Sequence, residues 1–204
     1  QSMVVSSATL DDKRQESFDV AAKQLRTLIN ELQDVVMSIR MLPVSNVFQK
    51  MKRIVRDMAK KENKDIELVL LGEETEVDKN VIDCLSDPLM HLIRNSVDHG
   101  IEDKDTRMHK GKPAKGRIVL EAHTTGNDVI VTITDDGKGL QRDAILKKAY
   151  EKGLVNKAEN EISDKDVYSL IFLPGFSTKE AVTEYSGRGV GMDVVRRNVA
   201  EVGG

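Results

Sequence analysis

Apolar residues in the first part of the chain recur at three- and four-residue steps. Phe18, Ala21, Leu25, Leu28, Leu32, Val35, Ile39 and Leu42 form one narrow stripe, and charged or amide residues fill most of the other positions. This is the seam of a long helix over 9–42. Pro43 interrupts it, and a second stripe follows at Val44, Phe48, Met51, Val55 and Met58. The two stripes predict antiparallel helices joined near residues 42–43, a helical hairpin domain over 1–62. A lone hairpin has little core, and Val36, Val47 and Ile54 remain to be covered. Two hairpins pairing as a four-helix bundle would cover them, so the pattern predicts a homodimer; packing on the rest of the chain is the alternative.

After the charged run 60–64 the period changes. Residues 66–71 read as a strand ended by Gly72, and 81–99 as an amphipathic helix. Residues 100–116 are rich in Gly, Lys and Asp, carry Pro113 and read as a loop with room for a helical turn. Residues 117–123 and 128–134 alternate as strands, and Gly126-Asn127 between them is a hairpin turn signal. Helices are expected at 143–151, 164–173 and 192–202, with a long loop over 174–189 before the last. Strands and helices interleave, yet a hairpin joins two of the strands. Residues 63–204 are therefore expected to form an α+β domain. Its form would be a two-layer α/β sandwich, a mixed, mostly antiparallel sheet covered by helices.

Composition narrows the class. Aromatics are 3% of the 204 residues and Trp is absent, so the core must be aliphatic. The net charge of -3, with both signs mixed along the chain, gives no electrostatic case for nucleic acid or an anionic membrane. Cys84 is the single cysteine, so no intrachain disulfide forms and a reducing compartment fits. No apolar run reaches the length of a membrane span, and the start lacks a signal-peptide pattern. A cytoplasmic protein without membrane insertion is expected.

Three segments carry candidate chemistry. On the helix over 81–99, Leu85, Leu89, Leu92, Ile93 and Val97 share one face, while His91, Asn95, Asp98 and His99 share the other. Asn95 offers a neutral oxygen of the kind Mg²⁺ accepts beside phosphate, and His91, one turn earlier, can orient or deprotonate an attacking group. Read alone, the same row fits a solvated face ending in a capping His-Gly. The second segment, 135–139, follows a strand. Asp135 at the strand end can accept a hydrogen bond from an exocyclic amine such as that of adenine. Gly137 and Gly139 let the backbone turn and approach a flat ring. A plain Asp-Gly turn is equally compatible, and a Ca²⁺ loop fits less well because its alternating oxygen ligands are missing. In the third, Gly187, Gly189 and Gly191 run into the last helix, where freed N–H groups and the helix terminus suit phosphate. A simple glycine-rich turn remains open. No P-loop lysine follows, and no strand precedes it as in a dinucleotide fingerprint. Upstream, Ser177, Thr178 and Lys179 sit in a loop able to close as a lid.

The order of these segments resembles the ATP-binding domain of the gyrase, Hsp90, histidine kinase and MutL superfamily, and more narrowly the CheA family of chemotaxis histidine kinases. Residues 91–102, 135–139, 174–179 and 186–195 resemble that family's nucleotide-binding boxes, and residues ending at 41–44 its dimerisation module. The resemblance implies ATP and Mg²⁺ as ligands, with Asn95 on the metal and His91 beside the γ-phosphate. Asp135 would read the adenine amine, with Gly137 and Gly139 shaping that wall. Gly187, Gly189 and Gly191 would wrap the phosphates, Ser177, Thr178 and Lys179 would form the lid, and Asp98 and His99 would complete the site. It implies an ATP-dependent protein-histidine kinase core of a chemotaxis two-component phosphorelay. Such a core transfers the γ-phosphoryl to a histidine on a separate acceptor domain and associates with a chemoreceptor array. The family continues with further strands, so the sandwich reads as truncated. A gyrase- or Hsp90-like ATPase and a non-catalytic dimeric nucleotide-binding scaffold are the alternatives.

Overall fold

The computed structural model describes residues 2–126, 128–156, 158–174, 176 and 191–204, without the side chains of 2–14, 16, 34, 36–39 and 160. The chain divides into two compact units, Gln1–Met41 and Leu42–Gly204. The first is one helix, α1 (Ser2–Arg40). Its seam is presented outward: Leu28 is 61% and Leu32 64% exposed, and Phe18, Leu25 and Val35 are exposed too.

The second unit carries the sheet. After α1 the chain forms β1 (Met41–Pro43), α2 (Ser45–Lys61), β2 (Ile66–Leu71), β3 (Glu76–Asp78), α3 (Lys79–Asn95), α4 (Lys104–His109), β4 (Gly116–Thr125), β5 (Asp128–Asp135), α5 (Arg142–Glu151), α6 (Asp164–Ser169) and α7 (Met192–Glu201). β1 and β3 form a two-stranded ribbon, and β2, β4 and β5 a three-stranded sheet in that order. β2 runs parallel to β4, from Ile66 opposite Gly116 to Leu71 opposite Glu121. β4 and β5 are antiparallel, with Ile118 opposite Asp135 and Leu120 opposite Ile133. The sheet is mixed, as expected, with β2–β4 parallel and the longer β4–β5 pairing antiparallel.

The period of two fixes which face is buried. Ile118, Leu120 and Ala122 of β4 point into the core, flanked by Leu68 and Leu70 of β2 and by Val131 and Ile133 of β5. Helices cover this face. Phe48, Met51 and Val55 come from α2, Ile82, Leu89 and Ile93 from α3, and Val97 and Ile101 from the chain just beyond α3. A one-residue slip would turn all of the strand residues outward, so the register is strongly specified. Asp135 shares the parity of Val131 and Ile133, and its carboxylate therefore points toward the helical layer.

The helical layer corrects the expected hairpin domain. Residues 44–62 do not belong with α1, since Phe48 and Met51 are fully buried in the second unit and Val47 and Ile54 pack on the same core. One apolar face of a three-stranded sheet is wider than α3 alone covers, and α2 supplies the rest. Periodicity identifies that stripe but not the surface it meets.

The helix expected over 81–99 is also divided. α3 starts on Asp78, whose side chain accepts the Asn80 N–H at 2.8 Å, and ends at Asn95. Ser96–Gly100 then form a π turn closed by Ile101 N–H on Ser96 O at 2.8 Å. Lys64 caps this turn. Its ammonium donates to the carbonyls of Val97 at 2.7 Å, Ile101 at 2.8 Å and Asp98 at 3.3 Å. A smaller core joins α5 and α6 through Ile145, Leu146, Ala149, Ile162, Val167 and Phe176. Arg142 clips these helices together through Glu159 and Asp164, both at 2.9 Å. Among the described residues, no helix is long and apolar enough to cross a membrane.

Candidate functional site

The carboxyl end of α3 is where the described candidates meet. His91 and Asn95 stand one turn apart and are half-buried. The Asn95 amide donates Nδ2 to Met192 Sδ at 3.3 Å. Met192 is the first residue of α7, and Gly191 is its N-cap. The end of the glycine-rich segment is thereby brought against the helix that carries Asn95, and the Asn95 Oδ1 is left to act as an acceptor. His91 also feels α7. Burial lowers its pKa below the usual 6.5, the Arg94 guanidinium lowers it further, and the Asp193 carboxylate opposes both. At neutral pH the imidazole is uncharged and able to take a proton.

Asp135 sits on the other side of the same helix end. Ser96 Oγ donates to its Oδ2 at 2.9 Å, and the Gly137 N–H donates to its Oδ1 at 3.0 Å. Both oxygens keep lone pairs for a further donor. Gly137 is required by close approach, because a Cβ there would overlap the carbonyl of Gly100. The same carbonyl accepts the Lys138 N–H at 2.9 Å, lacing the turn after β5 to the π turn after α3. Gly139 needs glycine for another reason, a φ of 70°.

The remaining candidates divide. Asp98 is half-buried and His99 exposed, both in the π turn rather than on a continued helix face. Ser177, Thr178, Lys179, Gly187 and Gly189 lie outside the described residues.

Ser96, Met192 and Asp193 were not among the sequence candidates. Ser96 falls between the two helical faces, and nothing local marks it. A further group behind the Asp135 turn was also missed. Arg107 of α4 is fully buried. Its guanidinium donates to Asp136 Oδ2 at 2.7 Å, to Pro113 O at 2.8 Å, to Lys115 O and Asp136 O at 3.3 Å and to Glu102 at 3.4 Å. Lys112 reaches Gly137 O at 2.7 Å and Asp136 O at 2.9 Å. Asp136 in turn accepts the Arg117 N–H at 2.9 Å. These partners come from α4, the following loop and the end of β5, so a single local pattern could not announce them.

Glu102 completes this cluster, with a side chain only 5% exposed. Burial alone would raise its pKa, but its own backbone N–H, Lys110 and Lys112 outweigh that and hold it at about 2 against the ordinary 4.5. The unfolded chain binds the proton first as pH falls. The contribution of Glu102 to stability is thus complete above 4.5 and is lost as the pH drops from 4.5 through about 2. Urea midpoints measured across that window should fall more steeply for the native chain than for Glu102→Gln. Parallel slopes would show that the cluster does not couple to folding.

The family described as histidine kinase-, DNA gyrase B-, and HSP90-like ATPase matches residues 84–204. The chain is 48% identical over 205 residues to the chemotaxis protein CheA of Klebsiella aerogenes, covering 100% of this chain and 31% of that protein. It is 47% identical to the chemotaxis protein CheA of Bacillus subtilis over 89% of this chain and 27% of that one. It is also 44% identical to the sensor histidine kinase CheAY of Helicobacter pylori, over 95% of this chain and 24% of that protein. The chain thus spans under a third of the length of these curated relatives.

Proposed function

We propose that this chain, which belongs to the histidine kinase-, DNA gyrase B- and HSP90-like ATPase family, is the ATP-binding core of a chemotaxis-type protein-histidine kinase. The observation that carries this reading is the meeting at one helix end of His91 and Asn95, the Asp135 carboxylate and the N-terminus of α7. Asp135 would accept the adenine amine while Ser96 and Gly137 hold its carboxylate in place. The terminus of α7, with the glycines before it, would face the phosphates, where helix N–H groups favour anions.

The residues present fit Mg²⁺. An amide oxygen on a fixed side chain is a hard ligand, and an ion bridging phosphates takes most of its other ligands from phosphate and water. The Asn95 Oδ1 would hold it, because Nδ2 is turned to Met192. Bound there, the ion supplies charge neutralisation on the phosphates. His91, uncharged at neutral pH, would stand beside the acceptor imidazole and take its proton. The bond between the γ-phosphorus and the bridging oxygen breaks, a phosphorus–nitrogen bond forms on the acceptor, and ADP leaves. The acceptor would be a histidine on a separate domain, and the working context a cytoplasmic, receptor-linked phosphorelay. An ATPase is less well supported, because an imidazole rather than a carboxylate occupies the base position.

Labelled ATP and Mg²⁺ supplied with an acceptor histidine domain should give acid-labile, base-stable label on that domain. Release of free phosphate with no labelled acceptor would point to the ATPase instead. Dimerisation belongs to the same reading, with the exposed seam of α1 as its surface. Leu28→Asp and Leu32→Asp place charges on that seam and should halve the mass seen by light scattering. A monomeric unmodified chain would remove the dimer.

A further inference from the structure

The cluster around Arg107 lies behind the Asp135 turn and has no part in the chemistry above. From its contacts we infer that Arg107 and Lys112 are positioning residues for base recognition, acting on Asp135 through the backbone of residues 136 and 137. The inference rests on the proposed adenine role of Asp135.

The contacts are specific to that turn. Arg107 grips both the side chain and the carbonyl of Asp136, the residue next to Asp135. Lys112 takes the carbonyls of Asp136 and Gly137. The Gly137 N–H, which shares its planar peptide with the Asp136 carbonyl that both cations hold, is what fixes Asp135 Oδ1. The two cations therefore set the peptide whose N–H orients the Asp135 carboxylate. Glu102 holds Arg107, Lys110 and Lys112 to one carboxylate, so the charges behind the turn stay together. Arg107 is fully buried, and five of its contacts leave no room for it to serve the ligand directly. A guanidinium fork of this kind fixes geometry, and a misaimed acceptor loses most of a charge-assisted hydrogen bond.

The test compares ATP with ITP, whose base carries a carbonyl where adenine has its amine. Both are titrated calorimetrically into the full chain with Mg²⁺. The native chain should prefer ATP, since adenine presents its exocyclic amine to Asp135 where hypoxanthine presents a carbonyl oxygen. Arg107→Met removes a partner from a buried charge cluster and risks misfolding, so Lys112→Met, with a side chain 31% exposed, carries the test. Its ATP-to-ITP affinity ratio should fall by about three- to tenfold, the KM for ATP should rise, and kcat should hold. Arg142→Met, which loosens the α5–α6 clip and whose bonds go to Glu159, Ile162 and Asp164, should lower the melting temperature and leave the ratio alone. A native ratio in Lys112→Met, alongside a lost ratio in Asp135→Asn, would overturn the positioning role and leave the site standing. A native chain without preference for ATP would bring down both.

Discussion

His91→Ala should cut phosphoryl transfer by about 10²–10⁴-fold, the usual contribution of a positioned acid–base group, while calorimetric ATP affinity stays close to native. The split follows from where the side chain stands. His91 is one turn before Asn95 and neighbours Asp193 of α7, at the end proposed for the phosphates, whereas Asp135, the carboxylate proposed to read the base, is held by Ser96. Removing the imidazole takes away no contact to adenine. The pH profile adds a second signature. Burial and Arg94 hold the His91 pKa below 6.5, so it is unprotonated at neutral pH. The acid limb of transfer should lie below that value in the native chain and disappear in the alanine variant. A loss of affinity equal to the loss of transfer would instead place His91 in binding.

Asp135→Asn should weaken ATP binding by about 10- to 100-fold, the range for a hydrogen bond to a charged group. Size is unchanged, so packing is not disturbed; the donor–acceptor balance is. Both carboxylate oxygens of Asp135 accept hydrogen bonds, from the Ser96 hydroxyl and from the Gly137 N–H. The hydroxyl can rotate and accept, but a backbone N–H can only donate. The asparagine oxygen must therefore face Gly137, and its NH₂ group faces Ser96 and the adenine amine, two donors opposed. Binding within twofold of native, by calorimetry, would show that the base is read elsewhere.

Strand β2 was legible in the sequence residue for residue, because an apolar run between a charged segment and Gly72 leaves no other register. The limits of β4, β5, α5 and α7 were read to within a few residues for the same local reasons. β3 was not, since three residues carry no periodicity. The partner of α2 was not legible either: a stripe records that a face is apolar and not whether α1 or a sheet covers it. His91, Asn95 and Asp135 were singled out from residue type and element ends, and the fold brings all three to the carboxyl end of α3. Ser96 was missed because its contact with Asp135 spans 39 residues. Arg107 was missed because its partners converge only once the sheet has formed.

The placement of α2 has a practical consequence for dissecting the molecule. Cutting before residue 63, where charge and composition suggest a junction, would strip Phe48, Met51 and Val55 from beneath the sheet. Each large buried side chain removed costs about 2–5 kcal/mol. Three of them together approach the whole of the about 5–15 kcal/mol by which an ordinary domain outlasts its unfolded chain. A fragment that starts at Leu42 should therefore fold where one that starts at residue 63 is recovered as aggregate.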